Sequence, residues 1–147
     1  MPEPLKKPQI AFYVGQSSSL SARLRLACKL VEKAYAQQLS TYIYTDSLET
    51  TELLDDLLWT YQDTSFIPHS TLPRKDSATF ILIGHTIPAE KNLNFLINLS
   101  NQIPSFFEQF ERFAEVIDQE EMILRAGRDR YQTYNKKGYN LTYHQLR

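Results

Sequence analysis

Cations and aromatic rings are concentrated near the carboxyl end of the chain. Leu124, Arg128, Tyr131 and Asn135 recur at helical spacing, so they share one stripe of a helix, with Arg125 beside it. An arginine forms charge-assisted hydrogen bonds to a carboxylate, and a tyrosine next to a leucine offers an apolar notch for a side chain. The stripe therefore predicts a surface that binds a peptide end carrying a carboxylate and an aromatic residue.

Two other interpretations of this segment stay open on the residues alone. Alternating cations and rings also stack on and neutralise single-stranded nucleic acid. A basic helix face can equally be solvated, with its tyrosines serving only to pack the helix. The segment contains a single acid, Asp129, and four cations, which are Arg128, Arg130, Lys136 and Lys137.

A second pair of aromatic residues lies in the middle of the chain. Trp59 ends an amphipathic, acidic helix pattern, and Phe66 lies on the irregular segment that follows. Aromatic side chains on irregular elements frequently anchor protein–protein interfaces, but they can also close a core. Both roles are open for these two residues.

No comparable pattern supports catalysis, a metal or a cofactor. The turn after the first strand, Gly15-Gln-Ser-Ser-Ser, lacks the glycine spacing of nucleotide-binding motifs, so its serines are predicted to cap a helix. The three histidines are far apart, and His69 is expected to serve a structural hydrogen bond. The lone cysteine, Cys28, falls in an apolar helical run and is predicted to be a buried thiol.

Length and charge limit the alternatives further. With 147 residues and 42% hydrophobic residues, the chain has the size of one globular domain. The net charge is −1, but it is unevenly distributed: residues 46–63 hold six acids and no base, whereas residues 125–147 hold six bases and one acid. This predicts one anionic and one cationic face. No apolar run is long enough to span a bilayer, and the free thiol suits a reducing compartment, so a cytoplasmic location is expected.

Strand and helix patterns alternate along the chain. The last helix is predicted to be capped by Asp118, with Glu121 completing a capping box, and to stop at Gly138. Residues 62–78 read as an irregular segment, and the tail after residue 138 as irregular or a short edge strand. Strands are predicted at 10–14, 41–45, 79–83, 95–99 and 112–117, and helices at 20–39, 48–59, a short one after Pro104, and 119–137.

This order predicts an α/β protein: a single Rossmann-like domain, residues 9–147, with a mostly parallel sheet flanked by helices. Residues 1–8, which hold three prolines, are predicted to be a flexible N-terminal arm.

Two motifs resemble a known family. The segment Arg128-Asp-Arg-Tyr-Gln-Thr-Tyr-Asn-Lys-Lys-Gly-Tyr-Asn-Leu141 is similar to the pattern R-x-R-Y-x-x-Y-x-x-x-G-(F/Y)-N-L of the chi subunit of bacterial DNA polymerase III holoenzyme. Trp59 followed by Ser65-Phe-Ile-Pro-His69 resembles that family's W…S-F-(V/I)-P-H. Similarity is weak at residues 16–55 and 70–94, but the motifs follow the family's order over nearly the whole chain.

The resemblance implies a non-catalytic accessory subunit of the clamp-loader assembly in DNA replication. Such subunits bridge the psi subunit to single-stranded DNA-binding protein, whose acidic C-terminal tail ends in phenylalanine, and they meet DNA only indirectly. Arg128 and Tyr131 would contact the tail. The family usually has a lysine where this chain has Leu124, and Arg125 is expected to supply that second charge. Trp59 and Phe66 match positions that contact psi, where a related DNA-repair helicase competes. The alternative is a module that binds single-stranded nucleic acid directly through the same C-terminal helix.

Overall fold

The short apolar runs of the sequence form the strands of one parallel sheet. The computed structural model describes residues 8–61, 66–71, 81–88 and 93–145. The strands are β1 (Gln9–Val14), β2 (Thr41–Tyr44), β3 (His69–Thr71), β4 (Ile81–Gly84), β5 (Phe95–Asn98), β6 (Arg112–Ile117) and β7 (Leu141–Gln145). Their order in the sheet is β3-β4-β2-β5-β6-β1-β7, and every pair of neighbours is parallel. The predicted α/β class and parallel sheet are confirmed.

In the described part of the chain, three α-helices cover the two faces of this sheet. They are α1 (Leu20–Ala36), α2 (Leu48–Thr60) and α3 (Glu121–Lys136). The Ser19 side chain accepts a hydrogen bond from the Ala22 amide, which confirms the predicted serine cap of α1. This helix ends three residues earlier than predicted, where Gln38 turns with a positive φ of 59°.

The apolar residues divide between two cores because alternate side chains of a strand point to opposite faces. Ile10, Phe12 and Val14 of β1 lie in the core on the α3 side. Cys28 is buried in the other core, with the apolar faces of α1 and α2, and burial raises the pKa of its thiol to about 12. The prediction of a buried thiol is confirmed.

Three local predictions were wrong. Residues 69–71, expected to be irregular, form the edge strand β3, which is paired with β4. After Pro104 the chain makes only a short 3₁₀ helix, Phe107–Gln109, and Phe106, Phe107 and Phe110 are all buried in the core on the α3 side. Helix α3 is capped by Glu120 and not by Asp118: the Glu120 carboxylate accepts from the Ile123 amide at 3.0 Å, while Asp118 pairs with Arg23.

Several sequence predictions fall on segments outside the described residues. These are the proposed arm, of which only Pro8 is described, the first two residues of the strand predicted at 79–83, and most of the irregular segment 62–78. The tail does form an edge strand, β7, which runs parallel to β1.

Candidate functional site

Helix α3 is tied to the sheet by its ends and by one buried face. Glu120 caps the first turn, and Gly138 ends the helix in a left-handed conformation with φ 83°. The chain can then turn back into β7, which pairs with β1 at the edge of the sheet while α3 packs on its face. The predicted stop at Gly138 is confirmed.

A groove with a volume of about 410 Å³ opens between α3 and the edge of the sheet. Its apolar floor comes from β1, from the end of β6 and from the helix, and its walls carry two tyrosines, one arginine and several glutamines. The lining residues are Phe12, Val14, Ile117, Gln119, Leu124, Gly127, Arg128, Tyr131, Gln132, Tyr143 and Gln145.

Tyr131 forms one wall of the groove and is held from behind. Its ring meets Phe12 edge to face, with 5.1 Å between ring centroids. This arrangement fixes the tyrosine without using its hydroxyl, so an apolar guest can pack against an ordered ring. Across the groove, Tyr143 of β7 is 57% exposed.

Close contact between helix and sheet at the floor depends on Gly127. A Cβ atom placed there would lie 2.2 Å from Cδ1 of Ile117, which is itself buried. A larger residue at this position would force the Ile117 side chain to shift, so glycine favours the close approach of α3 to β6.

The structure brings together three of the four residues predicted for tail binding. Leu124, Arg128 and Tyr131 line the groove, and the Arg128 side chain is exposed at its rim. Arg125 does not line it: its side chain is 76% exposed and pairs with Glu121 at 3.5 Å, an ion pair that adds little stability at the surface. Asn135 is exposed and also lies outside the lining.

Arg130, counted with the surface cations in the sequence, is buried instead. Its Nε and Nη2 donate to the two carboxylate oxygens of Glu115, each at 3.0 Å, and the side chains are 5% and 0% exposed. The Tyr134 hydroxyl and the Asn98 amide donate to the same carboxylate at 2.7 and 2.9 Å. Burial raises the pKa of Glu115, although Arg130 and the two hydrogen-bond donors lower it. This buried cluster joins α3 to strand β6 of the sheet.

The predicted second pair of aromatic residues lies at the opposite edge of the sheet. Trp59 at the end of α2 is 48% exposed, and Phe66 is 92% exposed. Neither side chain closes the core, so of the two roles open from the sequence only that of an exposed interface anchor remains. His69 makes the structural hydrogen bonds expected of it, to Ile67 and Asp55.

Part of the groove comes from elements other than the C-terminal helix. Phe12 and Tyr143 were not predicted to belong to the site. Both residues join the groove because β7 pairs with β1 at the edge of the sheet. The spacing of residues within one segment does not predict a pairing between two distant segments.

Within the described residues, no group of three or more histidine, cysteine, aspartate or glutamate side chains is placed to hold a metal ion. None of the helices described is long and apolar enough to cross a membrane.

Fold and groove together define a parallel α/β protein whose candidate site is a recognition groove, with an apolar floor and a guanidinium at the rim. A family model described as "DNA polymerase III chi subunit, HolC" matches residues 8–142. The chain therefore belongs to the DNA polymerase III chi subunit family, as the two motifs predicted.

Curated relatives agree with this assignment. The chain is 37% identical over 139 residues to DNA polymerase III subunit chi of Pseudomonas aeruginosa, covering 94% of this chain and 96% of the relative. It is 23% identical to the Haemophilus influenzae subunit chi, covering 89% and 92% of the two chains. It is 24% identical to that of Escherichia coli K12, covering 83% and 84%.

A solved structure shares the fold at low identity. It is described as "Mss116p DEAD-box helicase domain 2 bound to an RNA duplex", with a TM-score of 0.67 at 10% identity, and the match covers 95% of this chain and 64% of that one. At this identity the likeness concerns the fold alone.

Proposed function

We propose that this chain is a non-catalytic accessory subunit of the clamp-loader assembly, which links the psi subunit to the C-terminal tail of single-stranded DNA-binding protein. The observation that carries the proposal is the groove between α3 and β7. It combines an apolar floor with one exposed guanidinium, Arg128, in a protein of the chi family.

The groove matches the chemistry of an acidic tail that ends in phenylalanine. A terminal phenylalanine offers a ring for the floor near Leu124 and Tyr131, and a carboxylate for Arg128 at the rim. The side-chain amides of Gln119, Gln132 and Gln145 can form hydrogen bonds with the backbone of the bound peptide. A groove of about 410 Å³ suits the last few residues of a chain better than a long track of nucleic acid.

The psi subunit is assigned to the opposite edge of the sheet, where Trp59 and Phe66 are exposed. Leu53 is also 44% exposed on α2. The acids of this helix surface are Glu49, Glu52 and Asp56, and α2 contains no base. We expect the contacting segment of psi to be apolar with flanking cations.

Two sites at opposite edges of one sheet make the chain a tether. Holding psi at one edge and the tail at the other raises the local concentration of the polymerase near coated DNA, with no direct grip on DNA.

Calorimetric titration with a synthetic tail peptide tests the tail site. Arg128→Ala removes a charge-assisted contact worth about 1.5–3 kcal/mol, so the affinity should fall about tenfold to a hundredfold. Lys136→Ala is the matched control, because Lys136 is an exposed cation of the same helix that lies outside the groove lining. Equal affinity of wild type and Arg128→Ala would refute the assignment.

Direct binding of single-stranded nucleic acid is the competing function, since Tyr131, Tyr143 and Arg128 could stack on bases and meet phosphates. The burial of Arg130 removes one cation from that surface. Titration with a bare oligonucleotide separates the two functions: tight, strongly salt-dependent binding that Arg128→Ala abolishes would favour direct binding.

A further inference from the structure

The His69 side chain links the two elements that carry Trp59 and Phe66. It is fully buried, and its Nδ1 lies 2.8 Å from the carbonyl oxygen of Ile67, the residue after Phe66. Its Nε2 lies 3.2 Å from the carbonyl oxygen of Asp55 and 3.3 Å from the Asp55 carboxylate, one helical turn before Trp59. The imidazole therefore connects α2 to residues 66–68, the segment just before β3.

The same ring supports the tryptophan directly. The ring centroids of Trp59 and His69 are 3.9 Å apart, with 36° between the planes. Trp59 is still 48% exposed, so it has one supported side and remains available to solvent. On the loop, the Ile67 side chain is buried while its neighbour Phe66 is 92% exposed, so the backbone at Phe66 is anchored and its side chain projects outward.

We propose that His69 is a positioning residue that holds Trp59 and Phe66 in their binding arrangement before the partner arrives. The inference rests on the proposed function, in which these two residues contact psi. Immobilising a mobile side chain costs binding free energy, and an anchor that is already ordered avoids that cost. His69 makes no contact with psi in this account and acts through the two aromatic residues.

Two variants separate the parts of this role. His69→Phe keeps an aromatic ring under Trp59 but loses the polar contacts of both ring nitrogens with Ile67 and Asp55, and His69→Gln keeps an amide but loses the ring. Trp59→Ala tests the interface itself. His144→Ala is the control, because that histidine lies on β7 at the far edge of the sheet.

Binding to purified psi is measured by calorimetry, and binding to the tail peptide reports whether each variant is folded. We expect both His69 variants to bind psi about tenfold more weakly while tail binding is unchanged. Wild-type affinity for psi in both His69 variants, with binding lost in Trp59→Ala, would overturn the positioning role and leave the proposed function standing. Wild-type affinity in Trp59→Ala would instead overturn the psi site itself.

A second measurement needs no variant. Trp59 is the only tryptophan of the chain, so time-resolved fluorescence anisotropy of the unbound wild type reports its motion alone. The inference predicts that Trp59 rotates with the whole protein. A large fast component from free side-chain rotation would overturn it, even if the His69 variants fail to fold.

Discussion

Arg128 and Arg130 are two residues apart on one helix, yet replacing each by methionine should have very unequal effects on the free energy of unfolding. Positions two apart point about 200° away from each other around the helix axis. Arg128 faces solvent at the groove, and Arg130 is 5% exposed and paired with the fully buried Glu115. Methionine keeps much of the side-chain volume, so the substitution tests the charge more than the packing.

The expected magnitude follows from the contacts that are lost. Arg130→Met removes two hydrogen bonds of 3.0 Å to Glu115 and leaves a carboxylate without a cation in the core. Breaking a buried pair in this way costs about 3–5 kcal/mol, a large part of the roughly 5–15 kcal/mol that holds a typical domain together. Arg128→Met should change the free energy of unfolding by no more than about 0.5 kcal/mol.

Urea denaturation measures both variants, and pH adds a second test of the cause. Burial raises the pKa of Glu115, and the loss of Arg130 should raise it further. A carboxyl group with a raised pKa in the folded state favours folding below its unfolded pKa and disfavours it as pH rises through the folded value. The deficit of Arg130→Met should therefore be smaller near about pH 4 than at neutral pH. A loss below about 1 kcal/mol at neutral pH, or a deficit that does not change with pH, would refute the reasoning.

Three further predictions concern other parts of the chain. Cys28, whose pKa burial raises to about 12, should react with a thiol reagent at pH 8 at least about a hundredfold more slowly in the folded protein than in urea, and rapid labelling of the folded protein would contradict its burial. Gly127→Ala should lower the free energy of unfolding by about 1–2 kcal/mol in urea denaturation, because strain against Ile117 exceeds the gain in helix propensity; no loss would mean that the contact relaxes freely. Asp56→Lys should weaken psi binding most at low salt, whereas Glu32→Lys on α1 should not, and equal effects in calorimetry would contradict an acidic psi site.

The sheet and its order of elements could largely be predicted from local pattern. Residues 112–117 carry a short apolar strand pattern that precedes the pattern of the last helix, and they form β6 with the predicted bounds. Strand β3 could not be predicted, because three residues such as His69–Thr71 carry too weak a pattern and gain their pairing from β4.

The groove could be predicted only on the side that one helix supplies. Leu124, Arg128 and Tyr131 share a face because of helical spacing alone, and they do line one groove. The opposite wall, Tyr143, comes from an edge strand whose neighbour is β1, and such a long-range pairing leaves no mark in the spacing of the last segment.

The composition of a segment does not show which of its charged residues are buried. Arg130 belongs to a basic run, yet the rotation of the helix carries it inward to Glu115, whose neighbours on both sides in β6 are apolar. The glutamate in this apolar run hints at a buried partner. That partner can be identified only when β6 is seen to lie inside the sheet, between β5 and β1.

If the chain binds psi and the tail at the same time, it should bridge the two proteins in a single binding experiment. Psi is immobilised, the chain is added, and recruitment of single-stranded DNA-binding protein on an oligonucleotide is followed by surface plasmon resonance. Wild type should recruit it, Arg128→Ala should bind psi without recruiting it, and Trp59→Ala should fail to bind psi. Recruitment by Arg128→Ala at the wild-type level would contradict the account.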